Sequence, residues 1–154
     1  MPFLKISCLV LLAVAVSTAG QTYNRVLLDD PEAVCLDGTP GAHYLYKGDP
    51  DKVLVFFYGG GWCGADTMAN TIESCYQRSK TDLGSSKNRP ATITTAAGLG
   101  SGDDKNFFKD WTKVFLTYCD GSGHQGYKKD PIEYKGAKLY FRGEKVVKGH
   151  FNSL

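Results

Sequence analysis

The chain has little that would tie it to nucleic acid or to a bilayer. Its formal net charge is only +2, from 18 Lys and Arg against 16 Asp and Glu in 154 residues. So small a surplus does not imply nucleic acid or an anionic membrane as partner, and neither is expected. Lys128, Lys129, Lys145 and Lys148 are scattered and read as solvated surface. One long apolar run exists, Ile6–Val16, about half of the ~20 residues that a spanning helix needs. No Asn-x-Ser/Thr sequon occurs, so N-glycosylation is not expected. No Cys-x-x-Cys pair occurs either, which argues against a zinc site; no metal or other cofactor is expected. At 42% hydrophobic and 22% charged, the composition is that of an ordinary globular chain, and the length predicts one domain.

The apolar run has a different reading. Lys5 precedes it and the small residues Ser17-Thr18-Ala19-Gly20 follow it. That is the charged, apolar and small-residue order of a secretory signal peptide, with cleavage near Ala19 or Gly20. Residues 1–20 are therefore expected to direct secretion, leaving a domain over 21–154. Of five cysteines, Cys8 leaves with the signal, and Cys35, Cys63, Cys75 and Cys119 remain. An even number in an oxidising compartment predicts two disulfides, with three possible connectivities.

The runs His43–Lys47 and Val53–Tyr58 are β-prone, and Gly48-Asp49-Pro50-Asp51 between them predicts a hairpin turn. Val26–Leu28 reads as a short strand. Val53–Tyr58 is continuously apolar, which predicts burial on both faces in an α/β sheet. Asp66 is the expected cap of a helix to about Lys80, with Met68, Ile72, Cys75 and Tyr76 on one face. Residues 81–106 and 120–136 read as loops, and Phe107–Trp111 as an aromatic docking segment. Val114–Tyr118 is a second buried strand. The last residues begin a helix.

The residues "YGGGWC" (58–63) pose the functional question, because three consecutive glycines carry a large entropic cost in any ordered segment. At the end of a strand, such a run can turn successive N–H groups into an anion-binding nest. A P-loop requires a following Lys-Ser/Thr, and a dinucleotide fingerprint starting at Gly60 requires glycine at Ala65; both are absent. An oxyanion loop remains, against the alternative of a plain tight turn.

The neighbouring stretches narrow this. "VCLDGTPGAHYLYKG" (34–48), "VLVFFYGGGWC" (53–63), "SCYQRSKTDLGSS" (74–86), "NFFKDWTKVFLTYCDGS" (106–122) and "LYFRG" (139–143) occur in that order. Together they resemble the N-terminal half of the pectin acetylesterase family, which includes the Notum-type carboxylesterases. The resemblance covers most of residues 34–143. It implies an α/β fold, the N-terminal portion of an α/β-hydrolase-like fold with an incomplete central sheet. It implies a serine esterase acting on acylated polysaccharide or another ester. It also implies oxyanion donors at Gly60 and Gly61, Trp62 at the pocket rim, and disulfides Cys63–Cys75 and Cys35–Cys119. If the strands before YGGGWC and YCDG are parallel, the two loops meet at one sheet edge, where open α/β sheets bind ligands. Asp120 would then lie near the site, although a turn aspartate before glycine is the commoner case.

Two departures qualify the resemblance. Tyr58 stands where many family members carry glutamate. No serine of the chain lies in a Gly-x-Ser-x-Gly elbow; Gly100-Ser101-Gly102 is the nearest approach. His43, His124 and His150 are the three histidines, and none matches the family's catalytic position. His124 reads as a solvated loop residue. The expectation is part of a secreted carbohydrate esterase, a partial domain over 21–154, inactive as given. The alternative is a secreted non-catalytic protein that binds a glycan or acyl ligand, or a partner of a full-length paralogue.

Overall fold

Val114, Phe115 and Leu116 are all buried, and they sit where the sheet is paired on both sides. The computed structural model describes residues 20–154; the expected signal peptide up to Ala19, with Cys8, lies outside them. The strands of the main sheet are β1 (Gln21–Leu27), β2 (Ala42–Tyr46), β3 (Asp49–Phe57), β4 (Thr92–Thr95) and β5 (Trp111–Leu116), in the order β3-β5-β2-β1-β4. Helix α1 (Met68–Arg78) follows β3. A small hairpin of β6 (Ile132–Tyr134) and β7 (Ala137–Leu139) leads to α2 (Gly143–Asn152). This is a mixed α/β architecture with a partial mixed sheet.

The hairpin expected at Gly48–Asp51 does not form. β5 lies between β2 and β3, antiparallel to the first and parallel to the second. The chain therefore crosses over the end of β5, and Asp49 to Asp51 belong to β3. Gly48 allows that crossing: an added Cβ would lie 2.3 Å from the Asp110 carbonyl oxygen.

The burial expected of Val53–Tyr58 is also corrected. β3 is the sheet's edge, and Val53, Phe56 and Phe57 remain 46, 39 and 42% exposed. The expected loop 81–106 contains β4, a run of β-branched residues that pairs with β1 from Gln21↔Thr95 to Asn24↔Thr92. Tyr23 of β1 is fully buried, stacks on Phe115 at 4.7 Å and donates its hydroxyl to the Gly100 carbonyl at 2.8 Å. The expected loop 120–136 likewise contains β6, which turns into β7 through Lys135 (φ +47°) and Gly136 (φ +76°). Strand β1 is longer than the expected Val26–Leu28.

Helix α1 is capped by Thr67, one residue after the expected Asp66. Thr67 Oγ1 accepts from the Asn70 N–H at 3.2 Å, while Asp66 holds the Asn70 side chain at 2.9 Å. Ile72, Cys75 and Tyr76 pack against Leu36 and Leu139, but Met68, expected on that face, is 73% exposed. Cys35 is bonded to Cys119 and Cys63 to Cys75. The first disulfide ties the N-terminal turns to the end of β5; the second ties α1 to the glycine loop. Helix α2 packs Val146 and Gly149 on Leu28 and Ala33. Arg142 of the FRG tract reaches Glu32 at 2.9 Å and the Lys129 carbonyl, which fixes the entry to α2.

Candidate functional site

Because β3 and β5 are parallel, their carboxyl ends adjoin. Tyr58 continues the ladder by one bond, its N–H donating to the Leu116 carbonyl at 3.0 Å. The chain then leaves the sheet through Gly59, Gly60 and Gly61. It rejoins the segment after β5 when the Cys63 N–H donates to the Gly121 carbonyl at 3.0 Å. YGGGWC and YCDG therefore meet at one edge.

The carbonyls of Gly60, Gly61 and Trp62 face Arg78. Arg78, in the last turn of α1, donates from Nη1 to Gly60 at 2.8 Å and to Gly61, and from Nη2 to Trp62 at 3.3 Å. The Tyr118 hydroxyl adds a bond to the Gly61 carbonyl at 2.9 Å and itself accepts from the Gly123 N–H at 3.0 Å. Burial pushes the Tyr118 phenol up, so it remains a donor at neutral pH.

In a trans peptide the C=O and the next N–H point in opposite directions. Holding the Gly60 and Gly61 carbonyls on Arg78 therefore turns the N–H groups of Gly61 and Trp62 away from it. The Trp62–Cys63 peptide obeys the same geometry, with its carbonyl on Arg78 and its N–H on Gly121. Among the described residues, the N–H groups of Gly59, Gly60, Gly61 and Trp62 find no protein acceptor.

Two of the glycines have distinct steric reasons. A Cβ on Gly60 would lie 2.5 Å from Tyr118 Cδ1 and 2.7 Å from Leu83 Cδ2. Gly61 has φ +69°, which L-residues avoid. Gly59 has neither constraint. Trp62 is 70% exposed, with its indole beside Gly123.

The loop after β5 is ordered from within. Asp120 is buried and its Oδ2 accepts from the N–H groups of Ser122 (3.1 Å) and His124 (3.0 Å). Its Oδ1 is buried and finds no partner among the described residues. His124, expected to be solvated, is seated instead. Its Nε2 lies 2.8 Å from the Tyr58 carbonyl, which can only accept, so Nε2 carries the proton. Its ring lies edge-on to Phe57 (5.3 Å) and Tyr118 (5.0 Å). Tyr58 packs edge-on against Phe115 at 5.8 Å. Tyr58, Phe56, Phe115, Thr95 and Leu99 line an apolar hollow of about 280 Å³ beside the loop.

Arg78 and Tyr118 were not recognised in the sequence as site residues. One signal was available: Arg78 lies three residues after Cys75, hence on the helix face that the disulfide turns toward the loop. Among the described residues, no three or more His, Cys, Asp or Glu side chains gather as metal ligands would. No described helix is long and apolar enough to cross a membrane.

A partial mixed sheet whose adjoining parallel strands end in a glycine loop and a YCDG loop is consistent with part of an α/β-hydrolase-like fold. The chain belongs to the pectinacetylesterase family, whose family model matches residues 16–154. It is 35% identical to pectin acetylesterase 5 of Arabidopsis thaliana over 127 residues, 79% of this chain and 28% of that protein. It is also 35% identical to pectin acetylesterase 11 of the same plant over 128 residues, 79% of this chain and 30% of that protein. The chain thus spans under a third of the length of these plant relatives. A third relative, the "inactive palmitoleoyl-protein carboxylesterase notum1b" of Danio rerio, is 30% identical over 114 residues, 65% of this chain and 79% of that protein.

Proposed function

We propose that residues 21–154 form a partial pectin acetylesterase-like domain of a secreted serine carbohydrate esterase, in which YGGGWC is the oxyanion loop. One observation carries this reading. The carbonyls of Gly60 and Gly61 are held by Arg78 and Tyr118 at the end of a parallel strand, and among the described residues the loop's N–H groups are left without acceptors. Donors fixed in this way stabilise the oxyanion of an ester's tetrahedral intermediate, at about 2.7–4 kcal/mol for each donor. Gly60 and Gly61 are the donors expected from the resemblance; the peptide geometry adds the N–H of Trp62, whose side chain would stand at the rim. The substrate class is an acylated polysaccharide or a related ester. The two disulfides favour an oxidising, extracellular setting.

No serine of these 154 residues lies in Gly-x-Ser-x-Gly. The reading therefore assigns them the oxyanion loop and no acyl-enzyme step. The purified chain should neither hydrolyse p-nitrophenyl acetate or acetylated pectin nor be labelled by a fluorophosphonate. Stoichiometric labelling of one serine in folded protein would overturn the assignment.

A second reading is a secreted non-catalytic protein that holds a glycan or an acyl ligand, or associates with a full-length paralogue. It is favoured by the zebrafish relative, which is named inactive and which the chain matches over 79% of its length. Calorimetric titration with acetylated and deacetylated pectin oligomers tests it; binding without turnover supports this reading, and no heat with either removes the glycan form of it.

A further inference from the structure

We propose that Arg78 is a positioning residue for the glycine loop, setting the direction of the Gly61 and Trp62 N–H groups from the opposite side of their peptide planes. The inference deepens the oxyanion reading and rests on it for its functional meaning, but its geometric content stands separately.

Three consecutive carbonyls converge on one guanidinium. Few side chains can do this. The planar fork carries five N–H donors in fixed directions, whereas a lysine ammonium is a compact point charge on a flexible stem. Each carbonyl held by Arg78 fixes a peptide plane, and each plane fixes the following N–H. Without the clamp, the Gly60–Gly61 plane loses the guanidinium that holds its carbonyl and the Gly61–Trp62 plane keeps Tyr118 alone, in a segment where glycine samples both signs of φ readily. Gly61 already sits at φ +69°.

The clamp is also anchored. Arg78 lies three residues after Cys75, whose disulfide to Cys63 closes the far end of the same loop. Tyr118 shares the Gly61 carbonyl with Arg78 and is braced by the Gly123 N–H. The cation has a second effect. Charge placed on a carbonyl oxygen polarises its peptide and strengthens the N–H on the opposite side as a donor, as in any hydrogen-bonded chain. Arg78 would thus aim the donors and sharpen them without touching a ligand.

Residual dipolar couplings report N–H direction directly. They are to be measured on the disulfide-bonded chain for wild type, Arg78→Lys, Arg78→Met and Tyr118→Phe. In wild type the Gly61 and Trp62 couplings should fit one fixed orientation. In Arg78→Met the Gly61 coupling should fall toward zero and the Trp62 coupling, whose peptide plane Tyr118 still holds, should fall less, while those of β3 and β5 hold, with Arg78→Lys between wild type and Arg78→Met. Tyr118→Phe, which keeps the guanidinium and so guards against a variant that fails to fold, should shift the Trp62 coupling alone. Unchanged Gly61 and Trp62 couplings in folded Arg78→Met, or in Arg78→Lys should Arg78→Met not fold, would overturn the inference. Sodium acetate, added to the same samples, separates it from the oxyanion reading. Amide shifts at Gly61 and Trp62 that appear in wild type and vanish in Arg78→Met support both. Couplings that depend on Arg78 with no acetate shift in wild type uphold the clamp and sink the oxyanion assignment.

Discussion

His43 on β2 and His150 on α2 face each other inside the protein, Nδ1 to Nδ1 at 3.3 Å, and neither ring is exposed to solvent. One Nδ1 must accept while the other donates, so at least one imidazole is neutral. Among the described residues neither buried Nε2 atom finds a hydrogen-bond partner. Burial, then His43 and His124, push His150 down to about 3, and burial pushes His43 down as well.

A depressed histidine contributes stability that is fully present above its unfolded value near 6.5 and is lost as pH falls through the window toward the folded value. For His150 that window runs from about 6.5 to about 3. By pH 5 the loss should reach about 2 kcal/mol for this one group. Urea melts at pH 7.5, 6, 5 and 4.5 measure it. His150→Leu should flatten the slope, and a midpoint constant across that range would refute the buried neutral pair.

The three glycines of the loop should respond differently to alanine. Gly59→Ala meets nothing within 4 Å and should change stability little. Gly61→Ala forces an L-residue to φ +69°, at about 1–2 kcal/mol. Gly60→Ala drives a methyl into Tyr118 and Leu83 and should cost about 1–3 kcal/mol. Thermal melts of the three variants test the order. A Gly59→Ala variant as damaged as Gly60→Ala would contradict the placement of the loop.

The disulfides should differ in thermodynamic weight. Cys35–Cys119 spans a sequence separation of 84 and Cys63–Cys75 one of 12. Loop-closure entropy gives about 4.5 kcal/mol for the first and about 3 kcal/mol for the second. Double serine variants at each pair should lower the urea midpoint in that order. The local readout should be reversed: losing Cys63–Cys75 should disturb the Gly61 and Trp62 amide resonances more than losing Cys35–Cys119.

How much of this was legible depends on the distance over which each feature is decided. β5 and the apolar part of β3 announce themselves as local runs, and the glycines mark the loop. The parallel pairing of β3 with β5 was a condition attached to that reading, and strand order was not accessible at all. A hairpin between β2 and β3 is the economical local solution, but β5 arrives from far along the chain to separate them. β4 was invisible because Thr92–Thr95 sits in a polar stretch and acquires its structure from β1. β6 and β7 were missed because Lys135, unlike asparagine, gives no signal for its positive φ. Arg78 was hidden for another reason: its partners are backbone carbonyls, and no residue type reveals a carbonyl's direction.

The edge of β3 yields the last prediction. Val53, Phe56 and Phe57 are exposed on a strand whose one sheet neighbour among the described residues is β5. An exposed apolar edge offers unpaired N–H and C=O groups to any other strand. The purified chain should therefore associate as its concentration rises, and it should do so without added ligand. Phe56→Lys places a charge on that edge at a position 39% exposed; it gives up the edge-on contacts with Tyr58 (5.5 Å) and Phe115 (5.8 Å), while edge pairing becomes costly. Lys52→Ala is the converse, because it removes the strand's one lysine, which stands on the edge paired with Asp49 at 3.2 Å. Sedimentation velocity over a hundredfold concentration range should show association reduced by Phe56→Lys and increased by Lys52→Ala, with far-ultraviolet circular dichroism unchanged in both. Equal sedimentation of all three proteins would mean that this edge does not govern association, and that its aromatic residues are covered in solution by some other means.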